Sequence, residues 1–209
     1  MKIKIRSNYK TALILSLIFI ISFSLTTFAQ QNLTADKLTF EKNEEGSNII
    51  EATGNVKMLY NEIEITGDFA RFEQANQVIN FENNVKMVME NRTLSGDQLT
   101  FRMEDNYLEI QGNVRLESEE FTAESNKMTY DRDEGIMNLS EEAYIDYGTI
   151  SANANQIRVI EKANRAVLRG NVSGQQNGNN FQADRIEILD KGNKIEMTGS
   201  AQLIFNPEE

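Results

Sequence analysis

A short sequence pattern recurs six times along the chain and constrains the fold more than any other feature. Each copy is a small residue followed by Asp or Asn, and from Gly67 onward the copies are evenly spaced without slippage, at positions 67, 96, 125, 154 and 183. The first copy lies slightly further from the second, at position 35. Self-similarity at a fixed period indicates a repeat architecture in which each unit packs on its neighbours. The six pairs are Ala35-Asp36, Gly67-Asp68, Gly96-Asp97, Ser125-Asn126, Ala154-Asn155 and Ala183-Asp184.

A second pattern with the same period, most often Gly-Asn-Val, occupies the other half of each repeat. Around it apolar residues alternate strictly, as in Leu108, Ile110, Gly112, Val114 and Leu116. This alternation predicts a long β-strand with one buried face. Before each small-Asp/Asn pair the apolar residues occupy alternate positions of one parity, and after it they occupy positions of the other parity. One extra residue at this step would return the apolar side chains to the same face of the strand. We therefore expect a β-bulge, and with it a bend, near the middle of the strands.

Short polar connections between the apolar segments predict antiparallel hairpins. Two strands per repeat give an all-β fold of about twelve antiparallel strands, in six repeats with a period of about 29 positions. We expect an elongated open sheet, folded over its apolar face, with an exposed edge strand at each end. The longer first repeat predicts a longer turn within 41–48. The other turns are expected at 61–62, 74–76, 104–106, 131–135 and 174–180.

The N-terminal segment 1–29 differs from the rest of the chain. A basic start is followed by an apolar run from Thr11 to Leu25 and by small residues at Thr27 and Ala29. This layout is typical of a secretory signal peptide cleaved after Ala29. The alternative is an uncleaved membrane anchor, for which the apolar run is short. We therefore expect a signal peptide at 1–29 and one β domain at 30–209.

Charge and composition exclude several classes of function. Without the segment 1–29 the chain has 17 basic and 32 acidic residues, a net charge of −15, which disfavours a nucleic-acid groove. The chain has no Cys and no His, so zinc sites built on them and His-based triads are impossible. The acids are spread over every repeat, so we expect no enzymatic activity and no cofactor. The recurring Asp side chains would lie roughly 10 Å apart, too far for a shared metal, and are interpreted as corner residues.

The repeated phrases resemble the LptA/OstA family, periplasmic lipopolysaccharide-transport proteins with a V-shaped β-jellyroll. One set of phrases is Ala35-Asp-Lys-Leu-Thr-Phe40, Gly96-Asp-Gln-Leu-Thr-Phe101 and Ala183-Asp-Arg-Ile-Glu-Ile188. The other is Ala52-Thr-Gly-Asn-Val-Lys-Met58, Ile110-Gln-Gly-Asn-Val-Arg-Leu116 and Leu168-Arg-Gly-Asn-Val172. The resemblance covers roughly residues 33–205. Two repeats depart from it, since the fourth has Glu141-Glu142-Ala143 and the fifth has Gly174 before a polar stretch. Either the groove is interrupted there or the polar stretch folds over it.

The apolar stripe inside the sheet is the candidate lipid site. The alternative is a closed, packed core without a ligand. The resemblance, together with several Met residues that provide a deformable lining, favours a groove that holds acyl chains. The candidate groove residues are Phe40, Met58, Phe72, Phe81, Val85, Met87, Phe101, Ile110, Val114, Leu116, Tyr130 and Leu139.

The resemblance implies a periplasmic carrier that binds lipopolysaccharide or a related glycolipid and passes it from the inner to the outer membrane. It also implies head-to-tail self-association through edge strands, and partners of the same fold in the inner and outer membranes. Two alternatives remain open. One is a structural or adhesive β-repeat assembly protein with no lipid ligand, and the other is an inner-membrane-anchored member of the same transport system.

Overall fold

In the computed structural model, residues 32–205 are described, and they form a single antiparallel sheet of 14 strands. Apart from the short strands at its two ends, the strands follow one another in the sheet as they do in the sequence. Two 3₁₀ helices, Glu161–Ala163 and Asp190–Gly192, replace ordinary turns between strands. The strands are β1 Asn32–Thr34, β2 Lys37–Lys42, β3 Asn48–Tyr60, β4 Ile63–Glu73, β5 Val78–Met89, β6 Arg92–Arg102, β7 Tyr107–Glu117, β8 Phe121–Asp131, β9 Ile136–Tyr147, β10 Ile150–Ile160, β11 Arg165–Gln176, β12 Asn179–Leu189, β13 Lys194–Thr198 and β14 Gln202–Ile204.

The fourteen strands occupy twelve positions in the sheet. Strands β1 and β2 both pair with β3, and strands β13 and β14 both pair with β12. At each end of the sheet, two short strands therefore take the place of one predicted long strand, which is interrupted at its middle. The sheet is open, and its antiparallel pairing confirms the predicted all-β fold.

Each long strand changes register near its middle, where the bulge was predicted. In the β6–β7 pair the register shifts between Ser95 and Gln98, and Leu94 and Leu99 are buried on the two sides of the shift. The opposing strand carries two consecutive residues of positive φ, Gly112 at 74° and Asn113 at 48°. Only Gly, and to a lesser degree Asn, adopts this conformation at low cost. We call this recurring bend the corner.

The Asp side chains of the first pattern close the corners. Asn113 Nδ2 donates a hydrogen bond to Asp97 Oδ2 at 3.0 Å, and equivalent Asn–Asp bonds form in the first two repeats. In the fourth repeat the roles are reversed, because Asn126 Nδ2 donates to Glu142 Oε2 at 3.3 Å. The replacement of Gly-Asn by two Glu residues is thus matched by Asn at the position of Asp. Within residues 32–205, no cluster of three or more acidic side chains could hold a metal ion.

The corner divides the sheet into two half-sheets. Half-sheet A contains the strand segments that meet at turns 61–62, 90–91, 118–120, 148–149 and 177–178. Half-sheet B contains the segments that meet at 43–47, 74–77, 103–106, 132–135, 161–164 and 190–193. Their inner faces share one apolar core that runs from Ala52 to Ile188. The ring of Tyr60 in half-sheet A packs edge-on against Phe101 in half-sheet B, with ring centroids 5.4 Å apart.

A turn lies within 174–180 as predicted, but it is much shorter than expected, because most of this polar stretch is strand. Strand β11 continues to Gln176, and only Asn177 and Gly178 form the turn, both with positive φ. Such a two-residue turn matches the twist of a hairpin. Gly174 lies inside the strand, where an added Cβ would collide with the backbone carbonyl oxygen of Ser151 and would also come within 2.8 Å of Phe181 Cζ. The backbone of β10 and the buried ring of Phe181 together occupy the space that a larger apolar residue fills in other repeats.

The predicted signal peptide at 1–29 lies outside the described residues. Within 32–205, no helix combines the length and the apolar character needed to cross a membrane.

Candidate functional site

The inner face of the folded sheet brings most of the candidate groove residues together. Phe72 is partly buried against this core. Phe40 is an exception, since it lies on the edge strand β2 with 71% of its surface exposed, and no strand of residues 32–205 lies beyond it. The buried members are Met58, Phe81, Val85, Met87, Phe101, Ile110, Val114, Leu116, Tyr130 and Leu139.

Two apolar clefts open into this interior between the half-sheets. The N-terminal cleft has a volume of about 180 Å³ and is lined by Leu33, Ile50, Met58, Phe72, Ile79 and Met103, with Asn32 at its edge. The C-terminal cleft has a volume of about 210 Å³ and is lined by Phe121, Ile145, Tyr147, Val159, Ile160, Ala166 and Ile188, together with polar residues at its mouth. The candidate list stopped at Leu139 and missed the second cleft, although the same period-2 alternation continues through its residues.

A polar cluster borders the C-terminal cleft and joins the two half-sheets. Arg92, at the start of β6 in half-sheet A, donates a hydrogen bond to Glu161 Oε1 in half-sheet B. Tyr130 Oη donates to the second oxygen of the same carboxylate at 2.8 Å. The side chains of Arg92 and Glu161 are about three-quarters buried. We call these three residues the seam cluster.

The 3₁₀ helix after β10 holds Glu161 in place. The backbone N–H of Glu161 donates to the carbonyl oxygen of Gly135 at 3.0 Å, and Lys162 Nζ donates to the carbonyl oxygen of Asp133 at 2.5 Å. The carboxylate of Glu161 is thereby fixed over the turn between β8 and β9, within reach of Arg92. This insertion carries no apolar periodicity, and its partner Arg92 is 69 residues away in sequence, so sequence reasoning did not find the cluster.

The electrostatics of the seam cluster favour a fixed ion pair. Burial raises the pKa of Tyr130 to about 12, and its hydrogen bond to Glu161 acts in the same direction. Burial opposes the charged form of Arg92, but pairing with Glu161 and Tyr130 carries the pKa of Arg92 above its ordinary value. At neutral pH Arg92 is therefore charged and Tyr130 is protonated, which suits a structural contact between the half-sheets.

Both ends of the sheet expose apolar side chains. At the N-terminal end these are Leu38 and Phe40, and at the C-terminal end they are Leu203, Ile204 and Phe205, the last 73% exposed. Over residues 32–205, β2 pairs only with β3 and β14 pairs only with β12. Each end therefore offers unpaired backbone groups beside apolar side chains, a combination that suits strand addition.

Comparison with known proteins identifies the fold's relatives. The family model described as "LptA/(LptD N-terminal domain) LPS transport protein" matches residues 29–107 and 64–162, which together span more than half of the chain. The chain belongs to this family. Membership confirms the resemblance found in the repeated phrases, and it identifies the chain as an LPS-transport protein in general terms.

One matching solved structure is LptH from Pseudomonas aeruginosa, described as the LptA homologous periplasmic component of the lipopolysaccharide transport device. The two chains share 15% sequence identity, with a TM-score of 0.38, over 69% of this chain and 95% of LptH. No curated protein matches the chain.

Proposed function

We propose that this protein is a periplasmic carrier that holds the acyl chains of lipopolysaccharide in its apolar interior and passes the lipid from the inner to the outer membrane. Family membership supports the transport role, and the continuous apolar core between the half-sheets supports a site for acyl chains. The observation that carries the proposal is the presence of apolar clefts that open into this core from between the half-sheets.

Loading requires the half-sheets to separate. The two clefts are small, about 180 and 210 Å³, against the range of roughly 300–1,000 Å³ that ligand pockets usually occupy. Within residues 32–205, the strands pair along the sheet and not across the space between the two half-sheets, so no backbone hydrogen bond between strands of these residues needs to break when the inner faces part. The contacts that must give way are side-chain contacts such as those of the seam cluster. The buried side chains of Met58, Met87, Met128 and Met137 can repack around an inserted chain, because Met is flexible and unbranched.

Self-association would extend the path for the lipid. The exposed ends of the sheet can pair head to tail, with β14 of one copy beside β1 of the next in half-sheet A and β13 beside β2 in half-sheet B. The inner faces would then continue from copy to copy. Membrane components with the same fold could be joined in the same way. Residues 1–29 would direct the chain to the periplasm as a cleaved signal peptide.

Native mass spectrometry with lipid extraction, on protein purified from the cell envelope, tests the carrier role. We expect a bound multi-acyl glycolipid at a defined stoichiometry. Protein that is free of lipid and also fails to take up added lipopolysaccharide would refute the carrier role. The exposed edge strands would then favour a structural assembly protein instead.

Photo-crosslinking can locate the lipid. A photoreactive amino acid in place of Phe121, which lines the C-terminal cleft, should crosslink to bound lipopolysaccharide. The matched control is the same amino acid in place of Thr122, the next residue of β8, which lies on the opposite face of the sheet. Equal crosslinking at the two positions would mean that the lipid does not lie between the half-sheets.

A further inference from the structure

The outer face of half-sheet B carries a cluster of cationic side chains over strands β10 to β13. Ala166, Leu168, Ile186 and Ile188 of these strands point into the core, so the residues that alternate with them point outward. The register places Arg158 beside Val167, and Arg169 beside Arg185. The outward charged residues, which we call the outer cationic patch, are Arg158, Arg165, Arg169, Arg185 and Lys194, with Glu187 and Glu196.

The outer cationic patch reverses the sign of the protein's charge locally. It contains five cations and two anions, whereas the whole chain has a net charge of −11. Arg165 and Arg185 share Glu187, and Lys194 pairs with Glu196. Arg158 and Arg169 are exposed and form no ion pair or hydrogen bond with any side chain of residues 32–205. Two guanidinium groups are therefore free for an external anion.

The free arginines border a depression in the sheet surface. Its volume is about 480 Å³, and Arg158, Arg165 and Arg169 line it around Val167. Val167 is only 5% exposed although it lies outside the inner core. Arg169 also borders a neighbouring depression together with Glu141, an acidic residue at the corner. The arginines thus surround an apolar floor, with Glu187, the ion-pair partner of Arg165 and Arg185, beside Val167 and with Glu141 towards the corner.

The depression and the C-terminal cleft meet at the hairpin end between β10 and β11. Ile160 and Arg165 line both of them. One amphiphilic molecule could therefore place an apolar portion in the cleft and an anionic portion on the outer face, with the side chain of Arg165 between the two. The negative charge of the rest of the chain would disfavour an anionic headgroup at most other positions.

We propose that the outer cationic patch binds the anionic headgroup of the lipid, through phosphate or carboxylate groups held by Arg158, Arg165 and Arg169. This inference rests on the proposed carrier function and assigns the headgroup to a site outside the apolar interior. Guanidinium groups suit this role because their planar array of donors matches the oxygens of phosphate and carboxylate. An acyl chain alone would make no use of the two free arginines.

The experiment measures the affinity of the full mature chain for lipid A with its phosphates and for dephosphorylated lipid A with the same acyl chains. We expect the unmodified protein to prefer the phosphorylated lipid by about tenfold, the combined effect of two exposed ionic contacts. The double variant R158Q/R169Q should lose most of this preference, because Arg165, the one remaining arginine of the three, is paired with Glu187. The charge-matched control is K37Q/K86Q, which removes two exposed cations on β2 and β5 and should keep the preference.

The outcomes separate the headgroup site from the carrier role. If R158Q/R169Q keeps the preference, or if the unmodified protein has none, the headgroup site is wrong and the carrier role stands. If the unmodified protein binds neither lipid, the carrier role fails and the headgroup site fails with it. Inorganic pyrophosphate is the last probe. Complete displacement of phosphorylated lipid A by pyrophosphate at equal concentration would identify the patch as a site for free anions and overturn its assignment to the lipid.

Discussion

Replacement of Gly112 by Ala tests whether the corner depends on glycine and on its Asp partner. Gly112 has a φ of +74°, and a Cβ added there would lie 2.8 Å from Asp97 Cγ and 2.9 Å from Asp97 Cβ. The left-handed conformation costs a non-glycine residue roughly 1–2 kcal/mol. Displacement of Asp97 also breaks its hydrogen bond with Asn113, which adds about 1 kcal/mol. We expect G112A to lower the free energy of unfolding by about 2–3 kcal/mol.

Urea denaturation of G112A and of a matched control measures the two contributions separately. The control is G178A, because Gly178 has a similar φ of +79° and nothing within 4 Å of an added Cβ. It should cost only the backbone contribution, so its loss of stability should be smaller by about 1 kcal/mol. Equal losses in the two variants would refute the structural role of the Asp97 contact at the corner.

Three further predictions concern the seam cluster, the fifth repeat and the C-terminal edge. Folding raises the pKa of Tyr130 from an unfolded value near 10 to about 12, so the neutral hydroxyl stabilises the fold below pH 10 and this stability is lost as pH rises towards 12. Screening reduces the effect to roughly 1 kcal/mol, and urea titrations of Y130F should lack this alkaline dependence. F181A should lower stability by about 3–5 kcal/mol in the same assay, since it leaves a cavity above Gly174, and a loss below about 1 kcal/mol would contradict the packing described. Pro in place of Gln202 should abolish concentration-dependent oligomerisation measured by light scattering, because β14 would lose its capacity for strand addition, and unchanged oligomers would argue against assembly through this edge.

The repeat made the corner predictable from sequence. Leu94 and Gly96 have one parity, and Leu99 and Phe101 have the other, so a single bulge was the simplest way to keep all four buried. The structure places the register shift between Ser95 and Gln98, and the four residues are buried. This prediction succeeded because bulge, alternation and corner are all local properties of one strand and its neighbour.

Features that depend on distant residues were not predictable in the same way. Phe40 follows the inward alternation of its repeat, but it is exposed because β2 has a neighbour on one side only among residues 32–205. The charged residues Arg92 and Glu161 resemble the many other surface charges of the chain, and only the facing of the two half-sheets brings them together. The stretch 174–180 has the composition of a loop, yet a two-residue turn at Asn177 and Gly178 allows both strands to continue.

The pairing of each strand with its sequence neighbours makes the length of the sheet adjustable in whole units. One repeat adds two strands, or about 10 Å, and carries its own pair of polar side chains at the corner, such as Asp97 and Asn113. Duplication or deletion of an internal repeat would leave every other corner unchanged. A lineage that needed to span a wider or narrower gap could therefore change the reach of this protein by copying or removing one internal repeat, without redesigning either end.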